Sequence, residues 1–220
     1  PNASGKSTLF KLFAVLLTPR TGQVALGETY LSTLSTRDRL ARIRFMPQFF
    51  AANAALTVFD VVMMAQKQLQ GWKVTSDDMD GVAEALSQSG IGHLAEAYVS
   101  ELSGGQSQMV SVAQALIRPA DVYLFDEPTS ALDLHHQLAV LGRIRDAVVR
   151  RNAVGIVALH DLNLAARFAD HLVLLGKGKV LAEGAPDAVL HDPALAATYG
   201  VDIAITEGPR KDLTVHAYAS

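Results

Sequence analysis

The sequence predicts an α/β fold in which a mostly parallel sheet, covered by helices, is interrupted by a helical insertion. Two observations carry this reading. Short apolar runs that end at polar residues, at 122–125, 155–159 and 171–175, alternate with helical patterns, the usual mark of parallel strands joined by covering helices. The stretch from about 57 to 117, by contrast, offers no convincing strand and reads as helices at 57–69, 77–89 and 104–117. Between the first two strands, 131–151 is periodic and free of glycine until Gly142, which predicts a long helix. After Gly176, Lys177-Gly178-Lys179-Val180 reads as a hairpin turn, and Gly184-Ala185-Pro186 introduces a short helix.

The chain has 220 residues, half of them apolar and 19% charged, enough to bury a sizeable core as one domain with a subdomain at about 57–117. Net charge is −3 and no block of lysine and arginine occurs, so the footprint of a general nucleic-acid surface is missing. With no cysteine, disulfide frameworks and thiolate metal sites are excluded. Mean hydropathy is positive, yet the best apolar runs, 13–17 and 172–175, fall far short of the roughly 20 residues a spanning helix needs.

Three stretches carry chemistry. Pro1-Asn2-Ala3-Ser4-Gly5-Lys6-Ser7-Thr8 matches all but the first glycine of the phosphate-binding pattern G-x-x-x-x-G-K-[ST]. Successive backbone N–H groups and a helix N-terminus there form an anion nest, Lys6 brings a point charge to the β/γ-phosphates, and the Ser7 hydroxyl can hold Mg²⁺. The apolar helix that must follow is read at 9–17; a chance Gly-Lys-Ser at a helix start is the plainer alternative. Next, Val122-Tyr123-Leu124-Phe125 followed by Asp126-Glu127 describes a buried strand delivering two carboxylates to its C-terminal end, where α/β sheets bind ligands. Asp126 would hold Mg²⁺ and Glu127 would act as general base on the attacking water, unless the pair is a solvated turn. Leu102-Ser103-Gly104-Gly105-Gln106 opens a long helix: Ser103 is a good N-cap, and the glycines let a phosphate approach the backbone or simply start an ordinary capped helix.

Taken in order, these residues resemble the ATP-binding cassettes of ABC transporters over essentially the whole chain. The matching elements are Asn2 to Thr8 (Walker A, cut short), Gln48 in Met46-Pro47-Gln48 (Q-loop), Leu102 to Gln106 (signature) and Val122 to Glu127 (Walker B). Ser130-Ala131-Leu132-Asp133 (D-loop) and His160 in Ala158-Leu159-His160-Asp161 (switch histidine) complete the set. The resemblance implies a P-loop NTPase with a RecA-like core, ATP as ligand and Mg²⁺ as cofactor. It implies catalysis by Glu127, His160 and Gln48, with His160 on the γ-phosphate and Gln48 sensing Mg²⁺ or water. ATP would be held by Asn2, Ala3, Ser4, Gly5, Lys6, Ser7 and Thr8, and Mg²⁺ by Ser7, Gln48 and Asp126. In a head-to-tail dimer of two cassettes, Ser103, Gly104, Gly105, Gln106 and Asp133 would complete the ATP sites from across the interface. The segment from Phe49 to Met64 would dock on a transmembrane permease, with Phe49, Phe50, Met63 and Met64 either lining that groove or packing in the core. Such a subunit would work at the cytoplasmic face of the cell membrane as a peripheral protein, with a substrate-binding protein as an indirect partner.

One departure follows the signature, where Gln106-Ser107-Gln108-Met109 stands in place of the arginine-bearing Gln-Arg-Gln-Arg pattern. Another is at the start: the strand before the P-loop, its first glycine and the adenine-stacking aromatic lie ahead of Pro1. A fragment beginning at Pro1 is therefore expected to bind ATP poorly, since a stacking contact alone is worth about 1 kcal/mol. Ser32 to Thr36, Leu134 to Gln137 and especially Asp161-Leu162-Asn163-Leu164-Ala165 resemble the importer subfamily for iron–siderophore complexes, haem and cobalamin. A non-transport ABC ATPase and a non-hydrolysing regulatory cassette are the rival readings. The first lacks a basic patch, and the second does not explain why the hydrolytic residues are present.

Overall fold

The computed structural model describes residues 4–48, 55–208 and 212–219. In chain order the elements are α1 (Lys6–Phe13), β1 (Ala25–Leu26), β2 (Thr29–Tyr30), α2 (Thr36–Arg42), β3 (Ile43–Met46), α3 (Val58–Lys67), α4 (Ser76–Gln88) and α5 (Gly104–Leu116). There follow β4 (Val122–Asp126), α6 (Leu134–Arg150), β5 (Val154–Ala158), α7 (Leu162–Phe168), β6 (Leu172–Gly176) and β7 (Lys179–Gly184). Helices α8 (Pro186–Leu190) and α9 (Pro193–Tyr199) and strands β8 (Val201–Glu207) and β9 (Leu213–Ala219) complete the described chain. It divides into two compact units, Phe10–Ala158 and a second made of Leu159–Ser220 with the residues up to Leu9.

The larger unit is built on a parallel sheet of order β3-β4-β5. Central strand β4 is buried along its whole length, and its alternating side chains feed two cores. Tyr123 and Phe125 point into a cluster with Val58, Val62, Val82, Leu86, Val110 and Val140, so α3, α4, α5 and α6 share one core with the sheet. Val122 and Leu124 pack on the other face with Phe10, Leu31, Ile43 and Ala158.

The helices begin where local chemistry tells them to. Thr57, Thr75 and Ser103 each accept from the backbone N–H three residues on, while Asp60, Asp78 and Gln106 reciprocate as capping boxes. The helices read at 57–69, 77–89 and 104–117 thus appear within two residues of their expected ends, and the three later strands within one.

Two helices are shorter than the sequence indicated. The helix expected over 9–17 runs only over Lys6–Phe13: Val15 adopts φ 53°, and the N–H groups of Leu16 and Leu17 turn back to the Lys11 carbonyl, ending the helix as a Schellman-type stop does. The helix expected over 131–151 starts at Leu134, because Ala131 has φ 63° and Asp133 is the N-cap. Strand β3 and the C-terminal pair β8–β9 have no counterpart in the sequence reading.

A buried ion pair ties α3 to α4. The Lys67 ammonium donates to Asp78 Oδ2 at 2.8 Å, and the Thr75 N–H and hydroxyl donate to the same oxygen at 2.9 and 2.8 Å. The hydrogen bond from Lys67, followed by those from Thr75, lowers the Asp78 pKa from 3.8 to about 2. A carboxyl with a depressed folded-state pKa stabilises the fold above its unfolded pKa and loses that contribution as pH falls through the folded one. Thermal unfolding followed by circular dichroism should therefore show a Tm that falls between pH 4 and pH 2. In Asp78→Asn that part of the decline disappears while Tm at neutral pH is lower; an unchanged pH dependence would refute the role of the pair.

In the second unit, β6 and β7 form an antiparallel hairpin whose turn residues Lys177 and Gly178 have φ 50° and 73°, the paired positive values of a type I′ turn. Pro186 sits in the first turn of α8, where its missing N–H costs nothing. Strands β8 and β9 pair over their full length, and Leu174, Val189, Leu190, Leu195 and Val215 form the unit's core.

Candidate functional site

In the larger unit the chemistry gathers at the C-terminal end of the sheet. Because β3 and β4 run parallel with Met46 opposite Phe125, the residues two positions beyond that pair come out side by side. These are Gln48 and Glu127, 79 positions apart in sequence, and the Gln48 amide donates to Glu127 Oε2 at 2.6 Å. Glu127 holds φ 56°, a left-handed conformation costly for a residue with a Cβ. Three donors fix that turn through its carbonyl: Gln108 Nε2 at 2.8 Å, the Ser130 hydroxyl at 3.0 Å and the Ser130 N–H at 3.2 Å. A strained backbone held by three hydrogen bonds so as to present a carboxylate fits a functional turn better than a casual one.

Asp126, the last residue of β4, is 2% exposed, and its Oδ1 has no hydrogen-bond partner. An acceptor buried that deeply without a donor is costly unless a cation or its bound water serves it. The donor set, a carboxylate oxygen with an amide and a second carboxylate nearby, suits a hard divalent cation. The neighbouring strand β5 ends in register, Ala158 opposite Asp126.

At the start of α5 the Ser103 side chain accepts from Gln106 N–H, and Gln106 Oε1 accepts from Ser103 N–H. The first helical residues are Gly104 and Gly105, so no side chain covers the N–H groups there. Gly105 has a second reason to lack a side chain: a Cβ would stand 3.3 Å from the Ala131 carbonyl oxygen and 3.4 Å from Leu132. Asp133 caps α6, its Oδ1 accepting from His136 N–H at 2.9 Å and lying 2.8 Å from His136 Nδ1. The backbone N–H of His136 is the main cause that lowers its carboxyl pKa.

In the other unit, Gly5 has φ +97°, open only to glycine, and the chain then enters α1 at Lys6. Lys6, Ser7 and Thr8 form the first turn of that helix, and the preceding Ser4 is buried with its hydroxyl unpartnered. His160 lies exposed between β5 and Asp161, the N-cap of α7. Asn2, Ala3, Phe49 and Phe50 lie outside the described residues. Of the methionines read as groove candidates, Met63 is in the core and Met64 is 43% exposed.

Gln108 was not singled out by sequence reasoning. Its signal was available: a polar residue within the run Met109, Val110, Val112, Ala113 that α5 buries, itself 7% exposed.

The fold is that of a P-loop nucleoside triphosphatase. A family model described as "ABC transporter" matches residues 1–130. The achromobactin transport ATP-binding protein CbrD of Dickeya dadantii is 38% identical over 210 residues, 94% of this chain and 78% of that protein. The hemin import ATP-binding protein HmuV of Gloeobacter violaceus is 36% identical over 217 residues, 96% of this chain and 78% of that one. Among solved structures, an inward-facing metal-chelate type ABC transporter superimposes with a TM-score of 0.80 at 28% identity, over 99% of this chain and 84% of the other. The dimeric cassette MJ0796 in a post-hydrolysis state with ADP and Pi does so with 0.75 at 27%, over 84% and 82%. The chain belongs to the ABC transporter family as one of its ATP-binding, ATP-hydrolysing subunits. Importer subunits of this family work with permeases and dimerise, and among the described residues no helix is long and apolar enough to cross a membrane.

Proposed function

We propose that this subunit hydrolyses ATP with Glu127 as general base and so drives uptake of an iron chelate. The observation that carries the catalytic reading is the Gln48–Glu127 contact at the end of β4, beside the unpartnered oxygen of Asp126. In the reaction a water attacks the γ-phosphorus, its proton passes to the Glu127 carboxylate, and ADP leaves with the β–γ bridging oxygen. Gln48 holds the carboxylate in place, and Gln108 and Ser130 hold the backbone behind it. Bound Mg²⁺ would neutralise phosphate charge; Asp126 is the group that fits it, with Gln48 alongside, and Ser7 keeps the share that the P-loop pattern gives it.

Lys6 and the N–H groups that open α1 take the phosphates, and His160 meets the γ-phosphate. In a homodimer Ser103, Gly104, Gly105 and Gln106 serve the ATP of the partner cassette, with Asp133 at the same interface. A cavity of about 380 Å³ bordered by Val15, Leu16, Arg44, Pro47 and Ala65 supports docking of a permease segment there. That assembly sits at the cytoplasmic face of the membrane, with residues 57–117 as its helical subdomain and a binding protein delivering substrate from the far side.

The iron-chelate reading rests on CbrD, on the metal-chelate type transporter and on the 161–165 stretch. Proteoliposomes holding the complete subunit, its permease and its binding protein test it when a ferric siderophore, haem and cobalamin are offered in turn. The ferric siderophore should stimulate phosphate release and enter the vesicles; a response to haem or cobalamin alone would overturn the assignment.

A further inference from the structure

The Asp161–Ala165 stretch marks a subfamily in the sequence, yet the chemistry above uses only the histidine in front of it. In the structure Asn163 spends its whole side chain on one residue of β9. Val215 N–H donates to Asn163 Oδ1 at 2.7 Å, and Asn163 Nδ2 donates to the Val215 carbonyl at 3.3 Å. A side-chain amide used in this way stands in for a neighbouring strand, satisfying the outward donor and acceptor of an edge residue whose other side faces β8. Apolar packing supports the link, because the buried Val215 lies in one cluster with Leu162 and Ala166 of α7.

Two residues earlier, Asp161 caps the same helix, its Oδ1 accepting from Asn163 N–H at 2.8 Å and Leu164 N–H at 3.0 Å. His160 directly precedes that cap. The backbone just after the histidine is therefore fastened twice, once to its own helix and once, through Asn163, to the C-terminal hairpin.

We propose that Asn163 is the positioning residue for His160. Through its amide, the β8–β9 hairpin sets where the histidine loop lies, and so governs the rate of hydrolysis rather than the binding of ATP. This rests on the reading of His160 as a group that meets the γ-phosphate. Loosening the loop would lower the fraction of bound complexes in which the imidazole is in place, a loss read in kcat with KM little changed.

The test uses the complete subunit assembled with its permease. Asn163→Ala should lower kcat roughly tenfold, the scale of a modest misplacement, with KM for ATP unchanged within about twofold. Asn163→Asp keeps the acceptor for Val215 N–H but turns a second oxygen toward the Val215 carbonyl, so it should recover only part of the rate. In a His160→Ala background, Asn163→Ala should cause no further loss, because residues acting through one group are not additive. If Asn163→Ala melts below the assay temperature, Asn163→Leu, which fills the space without the amide, carries the same comparison. A wild-type kcat in Asn163→Ala, a rise in KM alone, or a full additional loss on top of His160→Ala would overturn the positioning role while leaving His160 in place. Undiminished turnover in His160→Ala would instead remove the role of the histidine, and the proposal with it.

Discussion

Glu127→Gln is expected to bind ATP normally yet lose roughly 10²- to 10⁴-fold in turnover, the usual contribution of a positioned acid–base group. The substitution isolates one property. Glutamine has the same length and the same backbone preferences, so it meets the left-handed turn at φ 56° at the same cost. The three bonds to the carbonyl of residue 127 come from Gln108 and Ser130 and do not involve the side chain being changed. An amide oxygen still accepts from Gln48, as Glu127 Oε2 does at 2.6 Å. What disappears is an oxygen basic enough to take the proton of water. Phosphate release at saturating ATP, measured on the complete subunit with its permease, checks the prediction beside a melting curve that should not move. Full turnover would show that Glu127 is not the base.

Lys6→Ala should act one step earlier, weakening ATP binding by roughly 10- to 100-fold, as expected for losing a charged hydrogen bond worth about 1.5–3 kcal/mol. Lys6 is the first residue of α1, directly after Gly5 at φ +97°, so the backbone turn and the helix N-terminus remain when its side chain is removed. Those N–H groups and the helix dipole still attract phosphate, so binding should be weakened but not abolished. Titration with ATP by calorimetry distinguishes the two substitutions: Glu127→Gln leaves Kd intact, while Lys6→Ala shifts it. An unchanged Kd in Lys6→Ala would remove Lys6 from the phosphate site.

The departures after the signature are Ser107 and Met109, which stand at the two arginine positions, whereas Gln108 keeps the glutamine of the family pattern. Gln108 reaches across to the carbonyl of Glu127 and so places a polar side chain behind the strained turn. That job could not be read from a single sequence, since its partner is 19 residues away and the contact is to backbone.

The division between what the sequence determined and what tertiary structure decided follows the range of the interactions. Helix starts at Thr57, Thr75 and Ser103 were legible because a capping box closes within four residues. The Lys177-Gly178 turn and the Pro186 helix start were legible for the same reason: one residue's φ preference decides them locally. The set of chemical groups was legible as residue types at fixed spacings. Strand β3, whose four residues Ile-Arg-Phe-Met alternate too briefly to stand out, emerged only from pairing with β4. The early end of α1 and the late start of α6 were decided by left-handed residues, Val15 and Ala131, that no side-chain preference announces. Pairing of Gln48 with Glu127 and of Asn163 with Val215 came from strand register and from packing between distant segments. Such contacts leave no trace in local sequence, because their free energy is realised only when the chain has closed the loop between them.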